Sequence, residues 1–301
     1  MNRFSPGDRK ATSMIIGRPE WMKRKESTEE SMKQIKEKVY VETGIFACNL
    51  GLVTTKEGNV LIDTPHLATD AVRWRDEVME KGEVLYLINT EEHPDHTETS
   101  HFFPGTLITH QKTRETLSEV GTEAVMKRMA HLNPEGMPLM EGFRLRLADV
   151  TFTEGLDMFL GGLTVRLFSL PGHSPGGIGV YIPEERVVFT TDIIFHRRKS
   201  WLHEADPEKW LQSLKRIGEL DVDIIVPGHG ELCTKAYLEE QSGIIEQWIE
   251  VVRAAIEKGL SKEQAMAKIT PPDPHPKQLN TPMTEEELNQ AIISRLYQIY
   301  S

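Results

Sequence analysis

The apolar positions of this chain change period many times, and each change marks an element. Val84-Leu85-Tyr86-Leu87-Ile88 is an unbroken apolar run between polar residues, which predicts a buried strand. Residues 39–55 read as strand, turn and strand, with Gly44 and Gly51 as punctuation. Residues 60–64 follow a Gly58-Asn59 turn as the next strand, and 106–109 form another. Val150–Phe152 and 163–170 read as strands of a second sheet, with Gly161-Gly162 as a hairpin turn. Residues 177–182 and 186–189 form a further hairpin around Pro183-Glu184-Glu185, and 222–226 are a last apolar run.

Helical spacing appears between these runs. Residues 69–80 place Ala71, Val72, Trp74, Val78 and Met79 at helical intervals. Residues 97–103 begin a short helix that Pro104-Gly105 stops. Residues 111–140 are mostly helical and polar, broken by Pro134, Gly136 and Pro138. Their Met126, Met129, Met137 and Met140 read as helix-core contacts rather than as a pocket lining. Asp206-Pro207 starts a helix with Pro at its first position, running to about residue 220. Residues 236–257 carry Ile244, Ile245, Trp248, Val251, Val252 and Ile256 on one face. Ser261 with Gln264 and Thr284 with Glu287 are capping boxes for two further helices. The second has a stripe of Leu288, Ile292, Leu296 and Ile299, and a stiff proline-rich link joins the two.

This order gives three parts. Residues 1–38 are charged, with few large apolar residues, and read as an N-terminal extension. Ser27-Thr28-Glu29-Glu30 ahead of Met32, Ile35 and Val39 suggests a short capped helix there. Residues 39–235 form the main domain. Residues 236–301 form a helical tail that packs on the domain or on a partner subunit, which makes a homodimer through the C-terminal helices an expectation. The alternation of strand and polar loop predicts an α/β sandwich of two mixed sheets with helices outside.

Composition narrows the partners. The 301 residues carry a net charge of -11, which argues against a surface for nucleic acid. The two cysteines, Cys48 and Cys233, are too few for a disulfide framework and read as free thiols. No apolar leader core and no run of membrane-span length stands out, so no membrane partner and a cytoplasmic location are expected.

The chemistry collects at strand ends. Asn89-Thr90-Glu91-Glu92-His93-Pro94-Asp95-His96 follows the first apolar run and brings two imidazoles and a carboxylate within four residues. Neutral imidazole and carboxylate are the usual nitrogen and oxygen ligands of zinc and iron. His173 follows 163–170 within Pro171-Gly172-His173-Ser174. Asp192 follows 186–189, and His229 follows 222–226 within Pro227-Gly228-His229. After Asp192 comes a basic and aromatic loop with Phe195, His196, Arg197, Arg198, Lys199, Trp201 and His203. It suits either an anionic or aromatic substrate, or plain solvent with one packed tryptophan. His66, His101 and His110 read as ordinary loop or core histidines.

The strand-end motifs resemble those of the metallo-β-lactamase superfamily, whose signature is His-x-His-x-Asp-His. Here it reads Glu91-x-His93-x-Asp95-His96, with Glu91 in place of the first histidine. The resemblance spans about residues 40–235 and implies a four-layer αββα sandwich with two metals at one edge. His93, His173 and Glu91 would hold one metal, Asp95, His96 and His229 the other, and Asp192 would bridge them. Asp63 would orient a ligand without binding metal, and the insertion at 111–140 would cover the site. The implied cofactors are two zinc ions, with iron or manganese as the alternative because a carboxylate at position 91 is the harder ligand. The implied activity is hydrolysis of a small ester, lactone or thioester by a metal-bound hydroxide, with Asp95 handling a proton. An iron oxidoreductase of flavodiiron or sulfur-dioxygenase kind is the alternative. A binding protein with a degenerate site, Glu91 turned away, is the third reading.

Overall fold

The computed structural model describes residues 32–46, 48–277 and 283–301. The helix expected around Ser27–Glu30 lies outside them. Seven strands lie side by side in chain order: β1 (Lys33–Gln34), β2 (Val39–Glu42), β3 (Leu50–Val53), β4 (Asn59–Ile62), β5 (Val84–Ile88), β6 (Thr106–His110) and β7 (Val150–Phe152). The first four pair antiparallel, and β4 to β7 pair parallel. Parallel neighbours need a crossover. Here α1 (Ala68–Glu80) joins β4 to β5, and α2 (Pro94–Thr97) begins the β5–β6 connection. The sheet begins at Lys33, inside the stretch expected as extension.

The second sheet takes β8 (Gly155–Leu160), β9 (Leu163–Ser169), β10 (Ile178–Ile182), β11 (Val187–Phe189) and, after β12 (Phe195–His196), β13 (Ile224–Val226). Its order is β13-β11-β10-β9-β8, mixed because β13 pairs parallel to β11. A short parallel pair joins β12 to β14 (His229–Gly230). The sheets face each other through Val53, Val60, Ile62, Ile88 and Ile108 on one side and Val165, Leu167, Val180, Val187 and Phe189 on the other. At Gly51 the sheets approach so closely that a Cβ would strike the Phe189 ring.

Helices cover both outer faces. Trp74 and Val78 of α1 pack on Leu52, Leu61, Leu87 and Leu107 of the first sheet. The second sheet is covered by α4 (Pro207–Gly218), α5 (Leu238–Glu257) and α7 (Glu285–Tyr300), which bury Trp210, Ile245, Trp248 and Ile292 with Tyr181, Val188 and Ile225. Between them α6 (Lys262–Lys268) and α7 each start with the expected capping box. The layers are therefore αββα. Leu288, Ile292 and Leu296 are wholly buried in this chain's own core. Those three members of the stripe are spent inside the molecule, whereas its fourth, Ile299, is exposed. Among the described residues, no helix is long and apolar enough to cross a membrane.

Three sequence expectations shift. Val150–Phe152 pairs with β6 in the first sheet, and the hairpin partner of β9 is β8. β8 carries little sequence signal because it is an edge strand, exposed on one side, with Asp157 in its middle. Residues 97–103 divide into the end of α2 and a 3-10 turn at Ser100–Phe102. The 111–140 stretch is α3 (Gln111–Leu132), broken at Gly121 (φ 75°), then a 3-10 segment. Met129 and Met140 are buried there, with Met126 and Met137 packed against them, as core contacts.

Candidate metal centre

The candidate ligands sit where strands end at one edge of the sandwich. Glu91, His93, Asp95 and His96 follow β5, His173 follows β9, Asp192 follows β11, and His229 opens β14. Glu91, His93, His173 and Asp192 have ligand atoms within 4.8 Å of one another, and so do Asp95, His96 and His229. Asp192 lies between the groups: Oδ1 is 3.3 Å from His96 Nε2, and Oδ2 is 3.1 Å from His229 Nε2 and 3.5 Å from His173 Nε2. Two donors each about 2.1 Å from a tetrahedral ion lie about 3.4 Å apart, so these spacings suit shared metal ions.

Glu91 points inward. It is fully buried, with Oε1 2.8 Å from His93 Nδ1, 3.3 Å from His96 Nε2 and 3.8 Å from His173 Nε2. This geometry goes against the reading in which Glu91 turns away. Glu92, next in sequence, points elsewhere, with Oε2 3.3 Å from both the Thr113 and Ser174 hydroxyls.

Backbone shape aims these groups. Thr191 has φ 46°, uncommon for a β-branched residue, and sets the turn carrying Asp192. A Cβ on Gly228 would collide with Asp192 Oδ1, so the neighbouring backbone leaves just the space this carboxylate needs. Asp63, also left-handed at φ 57°, accepts from the Thr90 amide at 2.7 Å and the Thr90 hydroxyl at 2.6 Å. Its Oδ2 also meets His96 Nδ1 at 3.0 Å. A proton on Nδ1 frees His96 Nε2 to face the cluster, which is the orienting role expected of Asp63. Phe195 stacks on His229, and Phe195 and Trp210 both meet His173 edge-on. Trp210 Nε1 is fixed on the Ile193 carbonyl at 2.8 Å.

The electrostatics favour protons on three of the four imidazoles, whereas burial lowers the fourth, His173. Burial disfavours charge on His229, yet Asp192 and Asp95 hold its pKa up at about 10. His93 and His96 are raised well above the usual range by neighbouring acids, against their own burial. Burial works to raise Glu91 and Asp192. The surrounding imidazoles outweigh it and keep both carboxyls below their ordinary range. Imidazolium and carboxylate thus neutralise one another where a cation would do the same.

The donor set passes a direct test of fit to metal. Glu91 Oε2, Asp95 Oδ2, His96 Nε2 and Asp192 Oδ1 are buried and make no well-aligned hydrogen bond; His96 Nε2 and Asp192 Oδ1 face each other at 3.3 Å, and Asp95 Oδ2 lies 3.4 Å from His229 Nε2. Buried polar atoms left without a good hydrogen bond are costly and rare. Four of them converging in one cluster, from three carboxylates and an imidazole, fit bound cations better than packing. Cys48, Asp63 and His96 also lie close together. There burial pushes the Cys48 thiol up to about 12, and its Sγ donates to the Asp95 carbonyl, so it serves as a buried neutral donor.

The cluster opens into two adjoining cavities. One, about 330 Å³, has Phe46, His66, Leu132, Trp201 and His203 in its walls. The other, about 410 Å³, is lined by Leu117, Val120, Val125 and Leu145. They meet at His93, His173, Arg128 and Glu204. Arg128 reaches over from α3 to the buried Glu98, whose Oε2 is 3.2 Å from His66 Nε2. The helical insertion therefore does wall the cleft. No motif announced Arg128, His131 or Glu204, because single polar residues in a polar helix or loop carry no sequence signal. His66 lines the cavity rather than an ordinary loop, while His110 caps α3 and His101 packs on Phe143. The basic loop divides: Trp201 and His203 face the cavity, whereas Lys199 is buried against α7.

A two-sheet αββα sandwich with a buried histidine–carboxylate cluster at one edge defines the fold and the candidate metal site together. The model of the family described as "Metallo-beta-lactamase superfamily" matches residues 43–229, and the chain belongs to that superfamily. Members bind divalent metals at such clusters. The chain is 26% identical over 136 residues to a linear primary-alkylsulfatase of Pseudomonas sp., covering 42% of this chain and 26% of that protein. It is 34% identical over 86 residues to a hydroxyacylglutathione hydrolase of Brucella ovis, covering 29% of this chain and 34% of that one. The matches thus span about a quarter to a third of those relatives. The structure of a stereoselective inverting sec-alkylsulfatase from Pseudomonas sp. superposes with a TM-score of 0.69 at 14% identity, over 88% of this chain and 50% of that one. At that identity the likeness is one of fold.

Proposed function

We propose that this chain is a binuclear metal-dependent hydrolase of a small ester, lactone or thioester with an apolar body. The observation that carries the reading is the inward-facing, buried Glu91 among six further donors beside an apolar cleft. Glu91, His93 and His173 would hold one metal and Asp95, His96 and His229 the other, with Asp192 between them. Zinc is the first choice. Three carboxylates among seven donors also suit iron or manganese. When bound, the metals supply Lewis acidity and a more acidic water.

The chain's own residues do the rest. Asp95 is held ionised: burial works to raise its carboxyl, and His96 and His229 pull it far lower. It would accept a hydrogen bond from the attacking water and help relay its proton. Phe46, Leu132 and Trp201 seat the substrate body and exclude solvent. The expected partner is a small molecule, and no nucleic acid or membrane partner is called for. A homodimer would have to use faces of the C-terminal helices other than the buried stripe.

The test pairs metal content with turnover. Elemental analysis should find about two metal ions per chain, and Glu91→Gln should retain about one. Turnover should be sought on 4-nitrophenyl acetate, γ-butyrolactone, an acyl thioester and an alkyl sulfate. The sulfate ester enters because of the alkylsulfatase likenesses. EDTA should abolish activity, and undiminished activity in metal-free protein would sink the proposal. Iron in place of zinc, with oxygen consumption and no hydrolysis, would favour the oxidoreductase reading that the carboxylate-rich donor set keeps open.

A further inference from the structure

Residues 197–206 link β12 to α4 and lend Trp201, His203 and Glu204 to the cleft. The loop also touches a candidate ligand. The Trp201 carbonyl lies 3.0 Å from His173 Nδ1. A carbonyl only accepts, so the proton stays on Nδ1 and Nε2 keeps its lone pair for the cluster.

The loop has little regular structure of its own and is held from outside. The Lys199 amide donates to the Pro276 carbonyl at 3.0 Å. The Ser200 amide donates to Asp273 Oδ2 at 2.8 Å, and the Ser200 hydroxyl accepts from Gln241 Nε2 at 2.8 Å. The Lys199 ammonium is 2.6 Å from Glu285 Oε1. At the far end Arg295 Nε donates to the Ala205 carbonyl at 2.9 Å. Each of these five partners belongs to α5, to α7 or to the proline-rich link between α6 and α7, while the two ends of the loop are also tied elsewhere, Arg197 N–H to the Tyr237 hydroxyl at 3.0 Å and Asp206 N–H to the Gly172 carbonyl at 2.8 Å. Lys199 is only 2% exposed. Burying a lysine is poor value for packing, since an apolar residue of like volume would serve at least as well. What the ion pair adds is a defined position for the loop.

We propose that the C-terminal tail is a working part of the metal centre. It clamps residues 197–206 at Lys199, Ser200 and Ala205, and so holds the Trp201 carbonyl against His173 and the cleft wall in place. Lys199, Asp273, Glu285 and Arg295 are then positioning residues. The inference rests on reading the cluster as a metal site, and is independent of which bond is hydrolysed.

The test uses the full chain, with Lys199→Met and Arg295→Met attacking the two ends of the clamp. Ser261→Ala is the control, because it weakens the tail at the α6 cap without touching the loop. Zinc binding is measured by competition with a chromophoric chelator, and amide hydrogen exchange is followed in peptides covering 197–206. Each clamp variant should speed exchange in the loop and weaken one of the two zinc sites by about tenfold or more, leaving the other unchanged. Glu285→Gln should lose less than Lys199→Met, since an amide oxygen still accepts from the ammonium. Wild-type exchange and affinity in both clamp variants would overturn the proposal. So would an equal loss in Ser261→Ala, which would mark a general stability effect. A wild-type chain that binds two zinc ions but hydrolyses nothing would remove only the proposed reaction. A wild-type chain that binds no metal would overturn both.

Discussion

The arrangement around Asp63 makes one carboxylate responsible for three contacts. It takes both the amide and the hydroxyl of Thr90 and orients His96, all from a left-handed backbone. Asp63→Asn keeps the shape but places an amide where a full charge stood. The expected result is about a 10–100-fold loss of metal affinity at the His96 site, read by chelator competition, with the fold intact by circular dichroism. Protons offer a second test. His229 has its pKa near 10, and His93 and His96 are raised well above their usual range. At pH 8 the metal-free cluster therefore carries protons that a metal must displace, because metal needs the imidazole lone pair. Adding zinc to unbuffered metal-free protein at pH 8 should release more than one proton per chain in a pH-stat. No acid release would show that these imidazoles are already neutral or not engaged.

Strand ends, with the single turn of α2 that follows β5, carry the cluster, and that is why its members could be picked out in the sequence. Each ligand loop follows an apolar run long enough to recognise, and His93, Asp95, His96, His173, Asp192 and His229 come together where those runs stop. Glu91 needed the structure, since its sequence position leaves its direction open. The cleft needed it too. Phe46, Arg128 and Glu204 come from distant segments with no period or motif. The exposed edge strand β8 is hard to see in the sequence because strand patterns show best when one face is buried. Lys199 reads as part of a surface cluster until α7 is placed beside it. Two element-level changes follow. Gly228→Ala should cost metal binding and some stability together, because its methyl would take the place of Asp192 Oδ1 and also press on the Thr191 backbone carbonyl. Elemental analysis should show lost metal, and retention of all metal would mean that Asp192 has room to move. Trp210→Phe removes the bond to Ile193 and part of the seat of His173. It should cost about 1–3 kcal/mol in urea unfolding, from an orphaned carbonyl and a small cavity.

Across the whole molecule the ligands come from both halves of the sandwich. Glu91, His93, Asp95 and His96 hang from the first sheet, and His173 and Asp192 from the second, with His229 just beyond β13. Metal bound there ties the two sheets together, so ion loading should act on global unfolding and not only on the cleft. Without metal, protons do part of that work, and their contribution has a definite sign. His229 titrates at about 10 in the fold against 6.5 for the free imidazole. Its stabilisation is thus fully present below about pH 6.5 and is lost as pH rises through about 10. The depressed carboxyls Asp95 and Asp192 act in the opposite direction: their contribution is present above the ordinary carboxylate range and is lost in acid. Metal-free protein should therefore melt at progressively lower temperature from about pH 7 to about pH 10. The loaded protein should melt higher and change much less over that interval, since metal needs the deprotonated form and binds more tightly as pH rises. Scanning calorimetry on EDTA-stripped and zinc-loaded chains at three pH values checks both statements. A metal-free Tm that climbs between pH 7 and 10 would reverse the sign assigned to His229, since the folded chain would then hold fewer protons than the unfolded one over that interval.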